Sequence, residues 1–523
     1  MKKLKLITIV IALFFMNAQN MNAQQLGIDS TFGKNGIIET RLGFKEEGEY
    51  IAVQKDDKIL LFGVNLDSNF VSKNYYLHIS RFNKNGLIDT NFGNNGVVTV
   101  ITSASAKDVR PAAIKLQEDG KIIVISKIYE SPYYKSLIHR FNTNGNLDNS
   151  FGNNGVIEIG VDKSNASMNN ITILPDGSIV GIGKIYEDAT KKKLGLLVEK
   201  YDKNGIKDLK FANNGRLSLF LSNSKEFYGY YIDFFKKDGS LVLLTQASSP
   251  FQIIMYKIDS NGKFDDSFGN SGNITINDPK LNVWSNKFVI TKDNKIIVSI
   301  QSLNNKGYLN CYSENGKVDN SFGINGVSEV SIPTYSVFLN DIIITPNQEI
   351  LASCHIQDYI KSNRAFISKF SIDGKPELSF GDNGKLRFNY YYYTWVSNIA
   401  LQSDGKVICN ELESKGQYLY RINVKKTVST SKVVSDLKNI TLFPNPIVNQ
   451  ATLSIELTSS QSLDIQLIDI NGRRVSDFTT TKEVFAAGKN EIPLDLPSSL
   501  TSGTYFLNIR SQEGVSVVKM VKM

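Results

Sequence analysis

The stretch "FGNNG" at residues 92–96 returns unchanged at residues 151–155, and looser copies of it occur along most of the chain. Successive copies of its Phe are separated by 60, 59, 60, 57, 54 and 58 residues. A nearly fixed period of this length indicates a repeat architecture. Because Gly and Asn adopt positive φ readily, we expect a structural turn in which the Phe is the anchor. The residues that mark this turn are Phe32, Gly33, Phe92, Gly93, Phe151, Gly152, Phe211, Phe268, Gly269, Phe322, Gly323, Phe380 and Gly381.

Each repeat predicts four short antiparallel strands joined by Gly, Asn and Asp turns, with no helical period. The apolar run after the D-G turn in EDGKIIVIS, residues 118–126, is typical of the second strand. Four strands in about 40 to 60 residues match the size of one propeller blade. The array begins at residues 28–39 with only the last turn and strand of a repeat, and it ends at residues 417–424 with a third strand. We therefore predict an all-β fold, a seven-bladed β-propeller over residues 24–426 that the N-terminal strand closes.

The acidic residue three positions before each Phe has two interpretations. It can cap backbone N–H groups of the turn, or its oxygen atoms can bind calcium. The loop offers few carboxylates and has no EF-hand spacing, so we predict capping, with no metal and no cofactor.

The D-x-x-F-G-x-N-G turn at a period near 60 resembles the delta-60 repeat family of exported bacterial proteins, over nearly all of residues 25–426. The order of strand, D-G turn and strand is also similar to blades of the NHL type. That resemblance implies that the strand before each D-G turn lines the central channel. Neither resemblance implies a particular ligand.

Residues 1–23 have the composition of a secretory signal peptide. Lys2, Lys3 and Lys5 precede an apolar run at residues 6–15, and cleavage is plausible after Ala18 or Ala23. Since about 20 apolar residues are needed to span a bilayer, we predict no transmembrane segment.

The charge and the cysteines exclude some classes of partner. The net charge of +8 comes from Lys and Arg that are scattered along the chain, so we expect no nucleic-acid partner. Cys311, Cys354 and Cys409 each lie in an apolar, strand-like stretch. Buried free thiols are the favoured interpretation, and a disulfide between two of them stays open.

The composition changes after residue 426, where a Ser/Thr-rich linker at residues 427–438 leads into a strand-rich unit at residues 439–523. The Asn471–Gly472 pair and residues 502–523 each predict a hairpin, and a unit of this size suits an immunoglobulin-like sandwich. An ordinary adhesive sandwich is one hypothesis for its role.

These residues also resemble the type A C-terminal sorting domain of the type IX (Por) secretion system, through FPNP at 443–446, DINGRRV at 469–475, GTYFL at 503–507 and VVKMVK at 517–522. The resemblance implies Sec export, type IX secretion machinery as the partner of residues 439–523, and cleavage by a surface protease. The expected location is secreted or at the outer cell surface. The residues that carry the sorting signal would be Pro444, Asn445, Pro446, Gly472, Gly503, Tyr505, Lys519 and Lys522.

Loops on the face opposite the D-G turns differ in length and chemistry, which is typical of a binding surface on a rigid scaffold. At one position per repeat this face carries Glu47, Arg110, Ser167, Tyr228, Trp284, Phe338 and Trp395, with Tyr391 and Tyr393 beside the last. Apart from Ser167, these are our candidate ligand-binding residues, for an extracellular glycan, peptide or protein. If the rings instead plug the channel or pack between blades, the protein is a surface scaffold.

An enzyme is the third hypothesis. His78, His139 and His355 fall at non-equivalent points of three repeats, and we assign no catalytic residue. A hydrolase or lyase site assembled from separate blades would involve Glu47 and Arg110 first.

Overall fold

The computed structural model describes most of the chain between residues 27 and 523. The described residues are 27–40, 46–66, 75–100, 108–130, 133–160, 165–186, 194–220, 227–248, 251–276, 287–302, 306–332, 335–357, 364–387, 395–413, 416–424, 438–469, 474–478, 484–511 and 514–523. The predicted leader at 1–23 lies outside them, as does the predicted linker except Lys438, with which the first strand of the C-terminal unit begins. In these segments no helix has the length and apolarity needed to cross a membrane.

The chain divides into two compact units, Met1–Lys426 and Thr427–Met523. The strands described in the first unit are β1 (Ile37–Glu39), β2 (Glu46–Val53), β3 (Ile59–Leu66), β4 (Tyr75–Phe82), β5 (Val97–Val100), β6 (Asp108–Leu116), β7 (Ile122–Glu130), β8 (Tyr133–Phe141), β9 (Val156–Ile159), β10 (Ala166–Ile173), β11 (Ile179–Tyr186), β12 (Leu194–Tyr201), β13 (Arg216–Phe220), β14 (Phe227–Phe234), β15 (Leu241–Ser248), β16 (Phe251–Ile258), β17 (Asn273–Ile276), β18 (Phe288–Ile290), β19 (Ile296–Ser302), β20 (Lys306–Tyr312), β21 (Val327–Val330), β22 (Ser336–Ile344), β23 (Glu349–Gln357), β24 (Arg364–Ser371), β25 (Lys385–Arg387), β26 (Trp395–Leu401), β27 (Val407–Glu413) and β28 (Gly416–Ile422).

The described strands of the first unit form seven four-stranded antiparallel sheets. Six of them consist of four consecutive strands each, from β2–β5 to β22–β25, and the seventh has the order β1-β28-β27-β26. Ile38 of β1 lies opposite Leu419 of β28. The predicted closure by the N-terminal strand is therefore confirmed.

The inner strands of the sheets are β2, β6, β10, β14, β18, β22 and β26. Each contacts the inner strand of the next sheet, and β26 contacts β2, so the sheets close into a ring. This ring is the all-β propeller that the repeats predict.

The core of the ring lies between neighbouring sheets. Leu60 and Phe62 of β3, for example, pack in one cluster with Ile122 and Val124 of β7, and all four side chains are fully buried. Successive residues of a strand point to opposite faces of the sheet. Both faces are apolar, because one face packs against the preceding sheet and the other against the following sheet. Each fully buried aliphatic or aromatic side chain contributes about 1.5 to 3 kcal/mol.

The three cysteines belong to this core. Cys311, Cys354 and Cys409 are buried, and their thiols are free. Burial raises the pKa of the Cys311 thiol to about 12, so the reactive thiolate form is scarce at neutral pH.

The repeated turn owes its sequence to backbone geometry. Gly152 and Asn154 have φ of 52° and 50°, in the left-handed region. A Cβ on Gly152 would lie 2.5 Å from the carbonyl oxygen of Val156, closer than real Cβ atoms approach. The backbone N of Gly152 donates to the carbonyl oxygen of Asn204 in the next sheet at 2.8 Å. The equivalent residues make the same bond to the next sheet at Gly33, Gly93, Ala212, Gly269 and Gly323.

The acidic residue of the motif caps the turn and pairs with cations. Asp148 Oδ1 accepts hydrogen bonds from the backbone N and the Oγ of Ser150, at 3.1 and 2.6 Å. Its Oδ2 accepts from Nε of Arg140 at 2.8 Å and lies 3.0 Å from Nζ of Lys121. Lys121 follows the D-G turn, so this turn and the Phe-Gly turn lie at the same end of the ring.

The second unit contains β29 (Lys438–Phe443), β30 (Gln450–Leu457), β31 (Gln461–Ser462), β32 (Asp464–Asp469), β33 (Arg474–Asp477), β34 (Val484–Phe485), β35 (Gly488–Asp495), β36 (Gly503–Ser511) and β37 (Gly514–Lys522). Its larger sheets have the orders β29-β30-β35 and β33-β32-β36-β37, and β31 pairs with β34. One core, with Leu453, Ile465 and Leu507 fully buried, joins the larger sheets into the predicted sandwich. Both predicted hairpins are formed, by β32 with β33 and by β36 with β37.

Candidate functional site

The end of the ring at which the inner strands begin differs from sheet to sheet. We call it the mouth and define it by the cross-strand pairs Arg110–Lys127, Ser167–Lys184 and Phe338–His355. The opposite end, which carries the turns around Gly120 and Gly152, is the turn end. The first member of each pair is the predicted candidate position, and its partner lies directly opposite on the second strand.

The structure describes the side chains of some predicted candidates and only the backbone, or nothing, of the others. Arg110 and Phe338 are described with their side chains. The backbones of Glu47, Tyr228 and Trp395 lie in β2, β14 and β26, opposite Val64, Gln246 and Leu412. The side chains of these three candidates, and all of Trp284, Tyr391 and Tyr393, lie outside what the structure describes.

Phe338 belongs to a stacked pair. Its ring lies parallel to the His355 imidazole, with centroids 4.8 Å apart and planes at 9°. Burial lowers the pKa of His355 to about 4, so the imidazole is neutral at pH 7. Asn340 fixes the ring, because its side-chain amide lies 3.0 Å from His355 Nδ1 while Nδ2 also donates to the carbonyl oxygen of Val396 at 2.9 Å. Phe338 is half-buried, so part of this flat surface is accessible at the mouth.

Arg110 belongs to a cationic group. It lies opposite Lys127 on the neighbouring strand, and its Nε donates to Asp108 at 3.0 Å. Burial lowers the pKa of Lys127, and the nearby positive charges of Lys184 and Arg110 lower it further. Lys184 comes from the next sheet, with its Nζ 4.6 Å from the ring centroid of Tyr134. Three cationic side chains therefore converge between the sheets β6–β9 and β10–β13.

A second polar group, which the sequence analysis did not single out, lines the inner strands. Lys287 donates to Asp341, whose Oδ2 accepts from the backbone N of Ile399 at 3.0 Å. Nζ of Lys287 is also 5.8 Å from the ring centroid of Tyr231. These contacts connect four consecutive sheets at the centre of the ring.

Asp233 continues this group toward the earlier sheets. Its Oδ1 accepts from its neighbour's backbone N, that of Phe234, at 2.9 Å and lies 3.5 Å from Oγ1 of Thr172. Burial raises the pKa of Asp233, although the positive charges of Lys115 and Lys287 act in the opposite direction. We call Lys115, Tyr231, Asp233, Lys287 and Asp341 the channel cluster. The sequence signal for it was a charged residue inside an apolar inner strand, as in AIKL at 113–116 and YIDF at 231–234.

The acidic side chains that the structure describes in the ring lie apart from one another or bond to turn N–H groups and cations. Among the described residues, no group of three or more His, Cys, Asp or Glu side chains could hold a metal ion. The motif carboxylates are held instead by turn N–H groups and by Lys or Arg, as at Asp148.

The predicted sorting residues cluster at the last strand of the second unit. Asn445 Nδ2 donates to the carbonyl oxygen of Lys519 at 2.8 Å, and its Oδ1 accepts from the backbone N of Val521 at 2.9 Å. Pro444 and Pro446 flank it, and each follows a cis peptide bond. The hydroxyl of Tyr505 in β36 donates to the carbonyl oxygen of Thr501 at 2.9 Å. Gly503 lies opposite Lys522 in the hairpin of β36 and β37, and Gly472 lies outside the described residues.

Two families match parts of the chain. Residues 441–523 match the family described as "Secretion system C-terminal sorting domain". Residues 117–151 match the family described as "Domain of unknown function (DUF5122) beta-propeller". These matches confirm the predicted sorting domain and support the delta-60-like propeller repeat. The sorting domain indicates secretion through the type IX system to the outer cell surface, with the secretion machinery as its partner.

Comparison with curated proteins gave no match. Among solved structures, the chain is similar to Semaphorin 2a of Drosophila at 8% identity and a TM-score of 0.44, covering 95% of this chain and 98% of that one. It is also similar to a glycoside hydrolase family 43 arabinoxylan arabinofuranohydrolase of Bacillus subtilis at 10% identity and a TM-score of 0.27, covering 90% and 93%.

Proposed function

We propose that the exported protein is a recognition module that binds an extracellular glycan, peptide or protein at the mouth of its ring. The observation that supports this is the contrast between the two ends of the repeat. At the turn end, successive sheets carry an acidic residue, a Phe and a basic partner in the same arrangement, as in Asp29 with Arg421 and Asp148 with Arg140. At the mouth, equivalent positions carry a cationic pair in one sheet and an aromatic pair in another.

The sheets of the ring are equivalent in structure. A requirement of the fold acts on every sheet alike, so it favours the same residues in each, as the turn end illustrates. Side chains that differ at equivalent positions of a rigid scaffold are instead typical of a binding surface. We include in the proposed site the candidates Arg110 and Phe338 together with Glu47, Tyr228, Trp284, Tyr391, Tyr393 and Trp395.

Arrays of glycans and peptides, probed with the full chain, test the proposal. The mouth variants are Arg110→Ala/Phe338→Ala and Trp284→Ala/Trp395→Ala, and the matched control at the turn end is Lys55→Ala/Leu209→Ala. We expect specific binding by the wild type and the control, and loss of binding in the mouth variants without a lower Tm. Arrays that stay blank, or mouth variants that bind as well as the wild type, would contradict it. A large drop in the Tm of the Trp variant would favour the scaffold hypothesis.

A hydrolase is the second candidate, and the channel cluster favours it. Burial holds Asp233 toward its neutral form, whereas Asp341 bonds to the cation of Lys287. Two carboxyl groups in contrasting environments are the arrangement that acid–base hydrolysis of glycosides uses. This candidate predicts release of sugar from a bound glycan by the wild type and none by Asp233→Asn. It fails if glycans bind and are recovered intact.

A further inference from the structure

We propose that the cationic group between the sheets β6–β9 and β10–β13 binds an anionic sugar, so that the ligand of the mouth is an acidic glycan. This inference rests on the proposed function and specifies its ligand class. The group consists of Arg110, Lys127 and Lys184, with Tyr134 and Asn165 beside them. We call these five residues the anion pocket.

Like charges lie side by side in the anion pocket. Arg110 and Lys127 lie directly opposite one another on adjacent strands, where like charges are destabilising. Two carboxylates near the pocket in the described structure are already engaged, because Asp108 bonds to Arg110 and Glu130 to Lys135, each at 3.0 Å. Among the described residues Lys127 has no ion-pair partner. Burial and the positive charges of Lys184 and Arg110 lower its pKa, and the negative charge of Asp108 opposes them only in part. An anion placed between the cations would remove this repulsion.

The partial burial of Lys127 strengthens the repulsion between these cations. It lies opposite Ser136, whose Oγ accepts from the backbone N of Met168 in the next sheet at 3.0 Å. Lys127 is therefore held where two sheets approach each other and is only partly accessible to water. A charge–charge interaction in such a place is stronger than one on an open surface.

The other groups of the pocket suit a sugar better than a peptide carboxylate or a free ion. Tyr134 and Tyr129 form a ring pair with centroids 4.8 Å apart, and both rings are half-buried, as is usual for rings against which a sugar stacks. Asn165 is 1% exposed, and its Oδ1 accepts from the backbone N of Tyr134 at 2.8 Å. Its Nδ2 has no hydrogen-bond partner in the described structure. The amide can donate to a hydroxyl group of a sugar, the cations can pair with an anionic group of the same sugar, and the rings can pack against its face.

Ser167 of β10, two residues after Asn165, provides a second buried polar atom without a hydrogen-bond partner among the described residues. It lies opposite Lys184, is 1% exposed, and its Oγ has no partner in the described structure. Buried polar atoms are nearly always hydrogen-bonded, so these two unpaired atoms beside the cationic group are points at which a polar ligand would gain hydrogen bonds.

The test is equilibrium binding of the full chain to four defined polymers at low and at physiological salt. Polygalacturonate offers carboxylate sugars, dextran sulfate offers sulfated sugars, dextran is the neutral sugar control, and poly-glutamate is the acidic peptide. We expect binding to at least one of the acidic glycans that weakens as salt rises, and at least tenfold weaker binding to dextran and poly-glutamate. Which acidic glycan binds distinguishes a carboxylate from a sulfate ligand.

Lys127→Gln is the decisive variant, with Lys55→Gln at the turn end as the control of equal charge change. We expect Lys127→Gln to weaken acidic-glycan binding at least tenfold while its Tm stays equal or rises, because a repelling charge is removed. Unchanged binding in Lys127→Gln, equal binding of poly-glutamate, or equal binding of dextran would overturn the inference. Binding of neutral glycans that depends on Phe338 would overturn it while leaving the proposed function intact.

Discussion

The guanidinium carbon of Arg140 lies 4.5 Å from the centroid of the Phe151 ring, in the turn that gives the chain its period. The same Arg donates to Asp148, and its Nη1 donates to the carbonyl oxygen of Lys203 in the next sheet. Arg81 with Phe92 and Arg421 with Phe32 repeat this arrangement, at 4.4 and 5.0 Å. The motif therefore joins each turn to its own sheet and to the next one, which is why it recurs around the ring.

The acidic residue of the motif makes stability depend on pH. The pKa of Asp29 is lowered to about 2, since burial, which alone would raise it, is outweighed by hydrogen bonds from Thr31 and Lys406 and by the charge of Arg421. A carboxyl whose pKa is depressed on folding stabilises the fold above about pH 4 and loses this effect as the pH falls toward 2. We expect Asp29→Asn to lower the free energy of unfolding by about 2 kcal/mol at pH 6 and by much less near pH 2.5.

Urea unfolding of both proteins at several pH values between 6 and 2.5 measures this difference. Asp382→Asn is the control, because the Asp382 side chain is 67% exposed. A difference that stays constant over this range would show that the ionised carboxylate of Asp29 does not stabilise the fold.

The left-handed position of the turn predicts unequal effects for two reciprocal substitutions. Gly152→Ala places a Cβ against the Val156 carbonyl oxygen and should destabilise the protein by about 2 kcal/mol or more. Ala212 occupies the equivalent position with φ of 46°. Ala212→Gly removes left-handed strain of about 1 to 2 kcal/mol against an entropy cost of about 0.5 to 1 kcal/mol, so it should be neutral or slightly stabilising. Thermal unfolding measures both, and equal destabilisation by both substitutions would be the contradicting result.

The turns and the closing strand could be predicted from the sequence, whereas the channel cluster could not. Gly152 and Asn154 show their backbone requirement locally, through residue types that tolerate positive φ. Lys287 and Asp341 are 54 residues apart, and only the assembled ring makes them neighbours. The mouth was predicted as a row of first-strand residues. Its partners, such as Lys127 and His355, depend on cross-strand register, which the sequence pattern does not specify to the residue.

The two carboxyl groups of the channel cluster should respond oppositely to removal of their charge. Asp341→Asn leaves Lys287 without its carboxylate partner and should cost about 3 kcal/mol at pH 7. Asp233→Asn should stabilise at pH 7, because the raised pKa of Asp233 means that its ionised form is disfavoured in the folded state. That gain should disappear as the pH falls below the unfolded-state pKa of Asp233, where its carboxyl is protonated in both the folded and the unfolded protein. Chemical unfolding at pH 7 and pH 3.5 measures both, and a destabilising Asp233→Asn at pH 7 would be contrary to this expectation.

In the second unit, Asn445 connects the entry segment to the last strand. Asn445→Ala removes two hydrogen bonds to the backbone of β37 and should lower the stability of the unit by about 1 kcal/mol. We expect lower export of the full chain by a type IX-competent host, with the missing fraction in the periplasm. Immunoblots of cell fractions measure this, with Asn449→Ala as the control for an exposed Asn nearby. Equal export of both variants would mean that these hydrogen bonds do not contribute to the sorting signal.

Recognition at the mouth is tested most directly by measuring ligand binding for two variants, one altered at the mouth and one altered at the turn end. Dissociation constants for a ligand captured by the full chain would be measured for Arg110→Ala/Phe338→Ala and for Leu209→Ser/Ile324→Ser, whose apolar side chains are 66% and 80% exposed at the turn end. We expect at least tenfold weaker binding for the mouth variant and unchanged binding for the turn-end variant. Unchanged binding by the mouth variant, or weaker binding by the turn-end variant alone, would contradict it.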